Sequence, residues 1–188
     1  FIEQIISKKK VLMIGDDVGL HEFHSITASK CDLVLNSDPM AVLKYQEKGY
    51  DSIFFQFEFA QLKNNDNVKK EIDVLFYGHL TPDRKSYLEY IQKEGIEVKN
   101  VGHENNIIGI PKDELLNLIE KSKIILNFSK TRTTFVQNLE SENIYKYYYQ
   151  LKGKMIVAGL KGVMCVSEYS PGQELLFGNE VAPMFYTK

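Results

Sequence analysis

Residues 73–98 read DVLFYGHLTPDRKSYLEYIQKEGIEV: an apolar run, a Gly-His turn, a helix start and a second apolar run in succession. Thr81 brings a hydroxyl for the first unpaired helical N–H groups, Pro82 suits the first turn, and Gly95 gives the backbone freedom at which helices stop. Tyr87, Leu88 and Ile91 fall on one face of the helix so delimited, which marks it as a crossover packed on a sheet. Strand, crossover helix and strand in that order specify a βαβ unit, whose strands run parallel.

The pattern repeats on both sides. Further apolar runs lie at Val11–Ile14, Leu33–Leu35, Ile53–Phe55, Ile124–Phe128 and Val163–Val166, beside the runs Ile72–Tyr77 and Val98–Val101 of the quoted stretch. They are too apolar for a sheet wetted on one face, so the expected fold is α/β, two Rossmann-like lobes with parallel sheets and helices on both faces. Asp38 and Pro39 open another crossover helix that Gly49 closes, and Leu115, Leu116 and Ile119 follow Pro111, Asp113 and Glu114 at helical spacing. The amide-rich stretch QLKNNDNVKK, residues 61–70, reads as a linker, placing a first lobe over 1–62 and a second over 71–188. With three strands behind a helix-like FIEQIISKKK, the first lobe is expected to be incomplete.

The 188 residues include 23 Lys and Arg, 25 Asp and Glu and 44% apolar side chains, for a net charge of -2. That balance excludes a disordered polar chain and supplies no field to attract nucleic acid. Tyr145, Tyr147, Tyr148 and Tyr149 with Lys146, Lys152 and Lys154 would stack single-stranded bases only against a basic background, so no nucleic acid partner is expected. Cys31 and Cys165 have no pairing or metal-binding pattern, which fits a reduced, cytoplasmic protein. No apolar run reaches the roughly 20 residues of a membrane span, and no signal peptide is evident.

Neither GxGxxG nor GxxxxGK[ST] occurs, GxSxG and HExxH are missing, and His21, His24, His79 and His103 have no familiar metal spacing. No metal and no cofactor are expected. VLMIGDD (11–17) with GYDSIFF (49–55) resembles the opening of a phosphoacceptor receiver domain, but Gln56 stands where the acceptor aspartate would be. Asp16 and Asp17 follow a strand end, where doubly wound sheets bind ligands, and Asp17 and His24 are the catalytic candidates on that ground. Gly78, His79 and the helix opened by Thr81 form a strand–turn–helix suited to a phosphate, with Arg84 in its first turn. Asn127 to Ser129 and Glu168 to Glu174 end other strands on the same edge, predicting one cleft between the lobes.

From Asp73 to Phe177, about 105 residues, the chain resembles glycosyltransferases of the GT-B fold, particularly the CgeB-like spore-maturation group and its glycosyltransferase-group-1 relatives. The segments that carry the resemblance are residues 73–98, KSKIILNFS (121–129) and LKGKMIVAGLKGVMCVSEYSPGQELLF (151–177). Upstream, residues 15–50 are similar, less specifically, to the later part of that family's amino-terminal lobe. The resemblance implies metal-independent transfer of a sugar from a nucleotide-sugar donor to a cell-envelope glycan or protein acceptor. It implies that Gly78 lets backbone approach the donor, Lys154 neutralises the diphosphate, Asn127 and Ser129 line the cleft, and Gly172, Gln173 and Glu174 touch sugar or ribose. His79, Arg84 and Glu168 complete the expected substrate-binding set.

Two positions depart from the family pattern. Lys154 stands where an arginine is usual, keeping the charge but losing the planar fork, and Val157 stands where a glutamate would hold the ribose hydroxyls. The alternative reading is a degenerate, non-catalytic interaction domain on the same fold.

Overall fold

A computed structural model describes residues 8–18, 20–56, 67–103, 109–131 and 148–178, and the backbone of 184–185. The helix-like start over 1–7, Gly19, residues 61–66 of the expected linker, Tyr145 to Tyr147 and residues 186–188 lie outside the described residues. The chain forms two compact units. Described residues of the first come from Phe1–Phe57, Ser129–Leu151 and Ser170–Asn179, and those of the second from Glu58–Phe128, Lys152–Tyr169 and Glu180–Lys188. The chain thus passes between the units more than once, where the sequence suggested one crossing near 62–71.

The first unit is a βαβαβ sheet: β1 (Val11–Ile14), α1 (His21–Ala28), β2 (Leu33–Asn36), α2 (Pro39–Glu47) and β3 (Ser52–Phe54). Its strands are parallel in the order β1-β2-β3. Asp38 caps α2 by accepting from the Met40 N–H at 3.1 Å, and Pro39 takes the first helical position, as the Asp-Pro pair predicts. Ile14, Ala28, Val34 and Tyr45 form the core with Leu12 and Tyr50, so α1 and α2 cover the same sheet face. Sequential right-handed crossovers require that arrangement.

Helices were expected on both faces, and among the described residues of this unit α1 and α2 cover only one. Val11 (51%), Met13 (58%) and Ile53 (50%), which alternate with the core positions, stay half-exposed. Strand hydrophobicity records what a face can bury, whereas the direction of the crossovers decides which face the helices reach.

The second unit contains β4 (Ile72–Phe76), α3 (Pro82–Lys93), β5 (Val98–Asn100), α4 (Lys112–Glu120), β6 (Ser122–Asn127), α5 (Lys154–Leu160), β7 (Met164–Glu168) and β8 (Met184–Phe185). A further short helix, α6 (Gln173–Phe177), belongs to the first unit. The second sheet is parallel throughout, in the order β5-β4-β6-β7-β8. Val74, Phe76, Leu88, Val98, Leu126 and Phe128 are its buried core, with Leu80, Ile91, Ile124 and Val166 packed against them. The seven strands read from the sequence are all present, in an α/β, Rossmann-like fold with two parallel sheets.

Candidate functional site

In the second unit the chain runs from β4 to β5 on one side and returns to β6 on the other, so strand order reverses at β4. Neighbouring loops diverge at such a reversal and leave a crevice at the carboxyl ends of the strands. The Tyr77-Gly78-His79 turn follows β4 there, and Asn127 ends β6. Gly78 has φ 101°, a left-handed conformation that side chains disfavour. Parallel pairing continues past the strand ends, where Val101 N–H donates to the Phe76 carbonyl and His103 N–H to the Gly78 carbonyl, each at 2.9 Å. Gly102 permits that approach, because a Cβ there would lie 2.7 Å from the Phe76 ring and 2.9 Å from the Gly78 carbonyl oxygen.

Two cations flank the turn. Lys154, at the start of α5, donates from Nζ to the Tyr77 carbonyl, and the same nitrogen lies 4.4 Å from the Tyr77 ring centre and 5.3 Å from that of Phe76. A Cβ on Gly78 would come within 2.8 Å of it, so the glycine and the lysine fit one another. Burial, with the Arg84 and Lys152 charges adding to it, brings the Lys154 ammonium down to about 7. Arg84 donates to the His79 carbonyl at 2.8 Å and to the Phe128 carbonyl at 3.5 Å, and its guanidinium lies 5.6 Å over the Phe128 ring. It braces the loops after β4 and β6 against each other. Thr81 caps α3, accepting from the Arg84 N–H at 3.3 Å.

The other expected residues of this unit lie at the same sheet edge. Asn127 is fully buried and donates from Nδ2 to Ser167 Oγ at 2.9 Å, tying the ends of β6 and β7 together. Glu168, the last residue of β7, is buried at 1% exposure. His79 packs edge-on against His103, with ring centres 5.7 Å apart. Cys165 lies within β7, where burial pushes its thiol up to about 12, so it is an inert core group and not a nucleophile.

The first unit gathers a different chemistry after β1. Asp16 is exposed while Asp17 is buried at 1%. The Asp17 carboxylate accepts three hydrogen bonds: His21 Nδ1 at 2.6 Å on one oxygen, with His24 Nδ1 at 2.9 Å and the Tyr45 hydroxyl at 2.7 Å on the other. Burial pushes this carboxyl up, but the bonds from His21, His24 and Tyr45 outweigh it and hold the group below its ordinary value. Burial and the adjacent Asp17 charge push the Tyr45 phenol well above its usual range. His21 is buried with no described partner for Nε2, whereas His24 keeps 22% of its side-chain surface. The sequence pointed to Asp17 and His24, and the structure joins them. His21 lies at the start of α1, four residues after Asp17, whereas Tyr45 reaches Asp17 only through the fold.

Ser129, Gly172, Gln173 and Glu174, expected beside the donor, belong to the first unit by their contacts. Ser129 is buried and its carbonyl accepts from the Gln150 N–H at 3.0 Å. Gly172 has φ 93° and lies so close to Pro39 that a Cβ would stand 2.4 Å from the ring. Gln173 is buried and donates to Ser170 Oγ at 3.2 Å, while Glu174 is exposed. Tyr148 donates to the buried Asp38 at 2.8 Å, anchoring its segment to the start of α2. Among the described residues no group of three His, Cys, Asp or Glu side chains is placed to hold a metal ion, and no helix is long and apolar enough to cross a membrane. No family model and no curated relative matches the sequence.

Proposed function

We propose that the protein transfers a sugar from a nucleotide-sugar donor to a glycan or protein acceptor, with the donor diphosphate bound at the carboxyl edge of the second sheet. The observation that carries this reading is the meeting of Gly78, Lys154 and the α3 amino terminus at the point where strand order reverses. A diphosphate fits such a place: glycine gives room for backbone approach, the helix terminus supplies partial positive charge, and an amine supplies a full one. The chemical step needs stabilisation of the charge that develops on the departing diphosphate, and Lys154 and the helix terminus supply it. Arg84 acts by holding the loops, since its guanidinium is engaged on two protein carbonyls.

Lys154 makes the binding sensitive to pH. With the free amine at about 7, it is charged below that pH and loses its proton above it. A bound diphosphate favours the ammonium, so donor binding takes up a proton above pH 7 and weakens as pH rises. One feature supports the second reading, a non-catalytic domain: Val157, on α5 with Lys154, has no group to accept from a ribose hydroxyl.

Thermal unfolding with UDP-, GDP-, TDP- and CMP-sugars tests the proposal, because ligand at about 100 times its Kd adds about 2.7 kcal/mol of stability. We expect one nucleotide class to raise Tm and Val157→Glu to enlarge the shift. No response to any donor would favour the non-catalytic reading.

A further inference from the structure

We infer that the open face of the first sheet docks a second copy of this chain, the two copies packing sheet against sheet about a two-fold axis. Parallel register sets Val11 beside Leu33, and Met13, Leu35 and Ile53 in one row across the three strands. These positions alternate with Leu12, Ile14 and Val34, which belong to the core, so they point away from α1 and α2. Val11, Met13 and Ile53 keep half of their surface or more, and Leu33 and Leu35 beside them are only partly buried. A sheet face that met water in the working protein would alternate apolar with polar residues. This one is apolar at all five positions, the mark of a face made to be covered.

The charges around the face say what covers it. Lys8 and Lys9 lead into β1 and Asp51 precedes β3, so the amino edge of the sheet runs from positive to negative. At the opposite edge the exposed Asp16 follows β1. Asp32, between the two ends of the amino edge, is engaged within the chain by Lys9 at 3.4 Å and by the Lys10 N–H at 2.7 Å. Lys8, Asp16 and Asp51 take part in no ion pair among the described residues.

Two copies can meet through this face in two symmetric ways. A two-fold axis along the strands lays β1 of one copy over β3 of the other with amino ends together, so Lys8 meets Asp51. An axis across the strands lays β1 over β1 in opposite directions, so Lys8 meets Asp16. Either axis joins unlike charges twice, and the face is complementary to itself in sign as well as in apolar character. A uniformly acidic or basic partner would meet a like charge at one part of the rim. Three strands of four residues span roughly 14 Å by 13 Å, well below the about 800 Å² that each partner gives to a stable interface, so the dimer should be weak.

Sedimentation velocity of the full 188-residue chain from about 10 μM to about 1 mM tests the inference. We expect a monomer at the low end and a growing share of dimer at the high end. Met13→Glu and, separately, Ile53→Glu put a charge on the face without touching the core, and each should raise the dimer Kd about tenfold or more. Lys8→Glu should weaken association, and adding Asp51→Lys or Asp16→Lys should restore it. A chain that stays monomeric to about 1 mM would overturn the inference and give the face to another segment or a different protein. A dimer indifferent to both glutamates would overturn it as well, and restoration by neither lysine would overturn the charge pairing that selects a second copy. None of these readings depends on sugar transfer, which is tested at the second sheet.

Discussion

In the second unit strand order turns back at β4, and the residues at that point are a positive-φ glycine, a helix terminus and a lysine whose amine sits on a carbonyl under two aromatic rings. In the first unit the strands follow one another as β1-β2-β3, no reversal occurs among the described strands, and the chemistry lies in one buried carboxylate with three donors. The contrast separates two ways of making a site. One comes from topology, which opens a crevice whatever residues line it, and the other from side chains that a helix and a crossover bring to one point.

Removal of the carboxylate should have the largest effect. Asp17→Ala leaves the buried His21 and Tyr45 donors without an acceptor and should cost about 3–5 kcal/mol in urea unfolding. An effect under 1 kcal/mol would mean that the three bonds do not coexist. The paired glycines come next. Gly172→Ala drives a Cβ against the rigid Pro39 ring and should cost about 2–4 kcal/mol. Gly78→Ala meets only the movable end of Lys154 and should cost about 1–2 kcal/mol, while also weakening donor binding. Equal costs would remove the distinction between a packed turn and an adaptable one.

Tyr45→Phe deletes one bond to a charged acceptor and should cost about 1.5–3 kcal/mol by the same measurement. A separate test is a matter of pH. Lys154 releases its proton at about 7 in the folded chain and near 10.5 when unfolded, so between these values the folded chain binds fewer protons. Stability should therefore rise with pH across that window, and Lys154→Met should flatten the rise. Asp17 acts at the acid end. Its contribution is present above the ordinary carboxylate value of 3.8 and is lost as pH falls through the lowered folded value.

Much of the fold was legible because its signals are local. Asp38-Pro39 and Thr81-Pro82 mark α2 and α3, and all seven apolar runs become strands with ends within two residues of those read from the sequence. α1 was harder to see, because its N-cap position is Leu20, which offers no side-chain acceptor. The short α6 begins at the end of the stretch SEYSPGQE (167–174), started by Gly172 in a left-handed conformation that the sequence alone does not reveal. At the candidate site, Gly78, Arg84 and Lys154 were visible as residue types, but the role of Arg84 was not. A guanidinium suited to a phosphate is equally suited to two carbonyls, and only the loop after β6 shows which it takes. Tyr45 was invisible as a partner of Asp17, since 28 residues and a full crossover separate them.

The most direct measurement is backbone amide NMR of the labelled chain titrated with the nucleotide-sugar panel. The account predicts shifts from one nucleotide class at Gly78, His79, Asn127 and Lys154, fading as pH rises above 7 and absent in Lys154→Met. Shifts confined to the first unit, or none with any donor, would contradict the assignment of the donor site to the edge where strand order reverses.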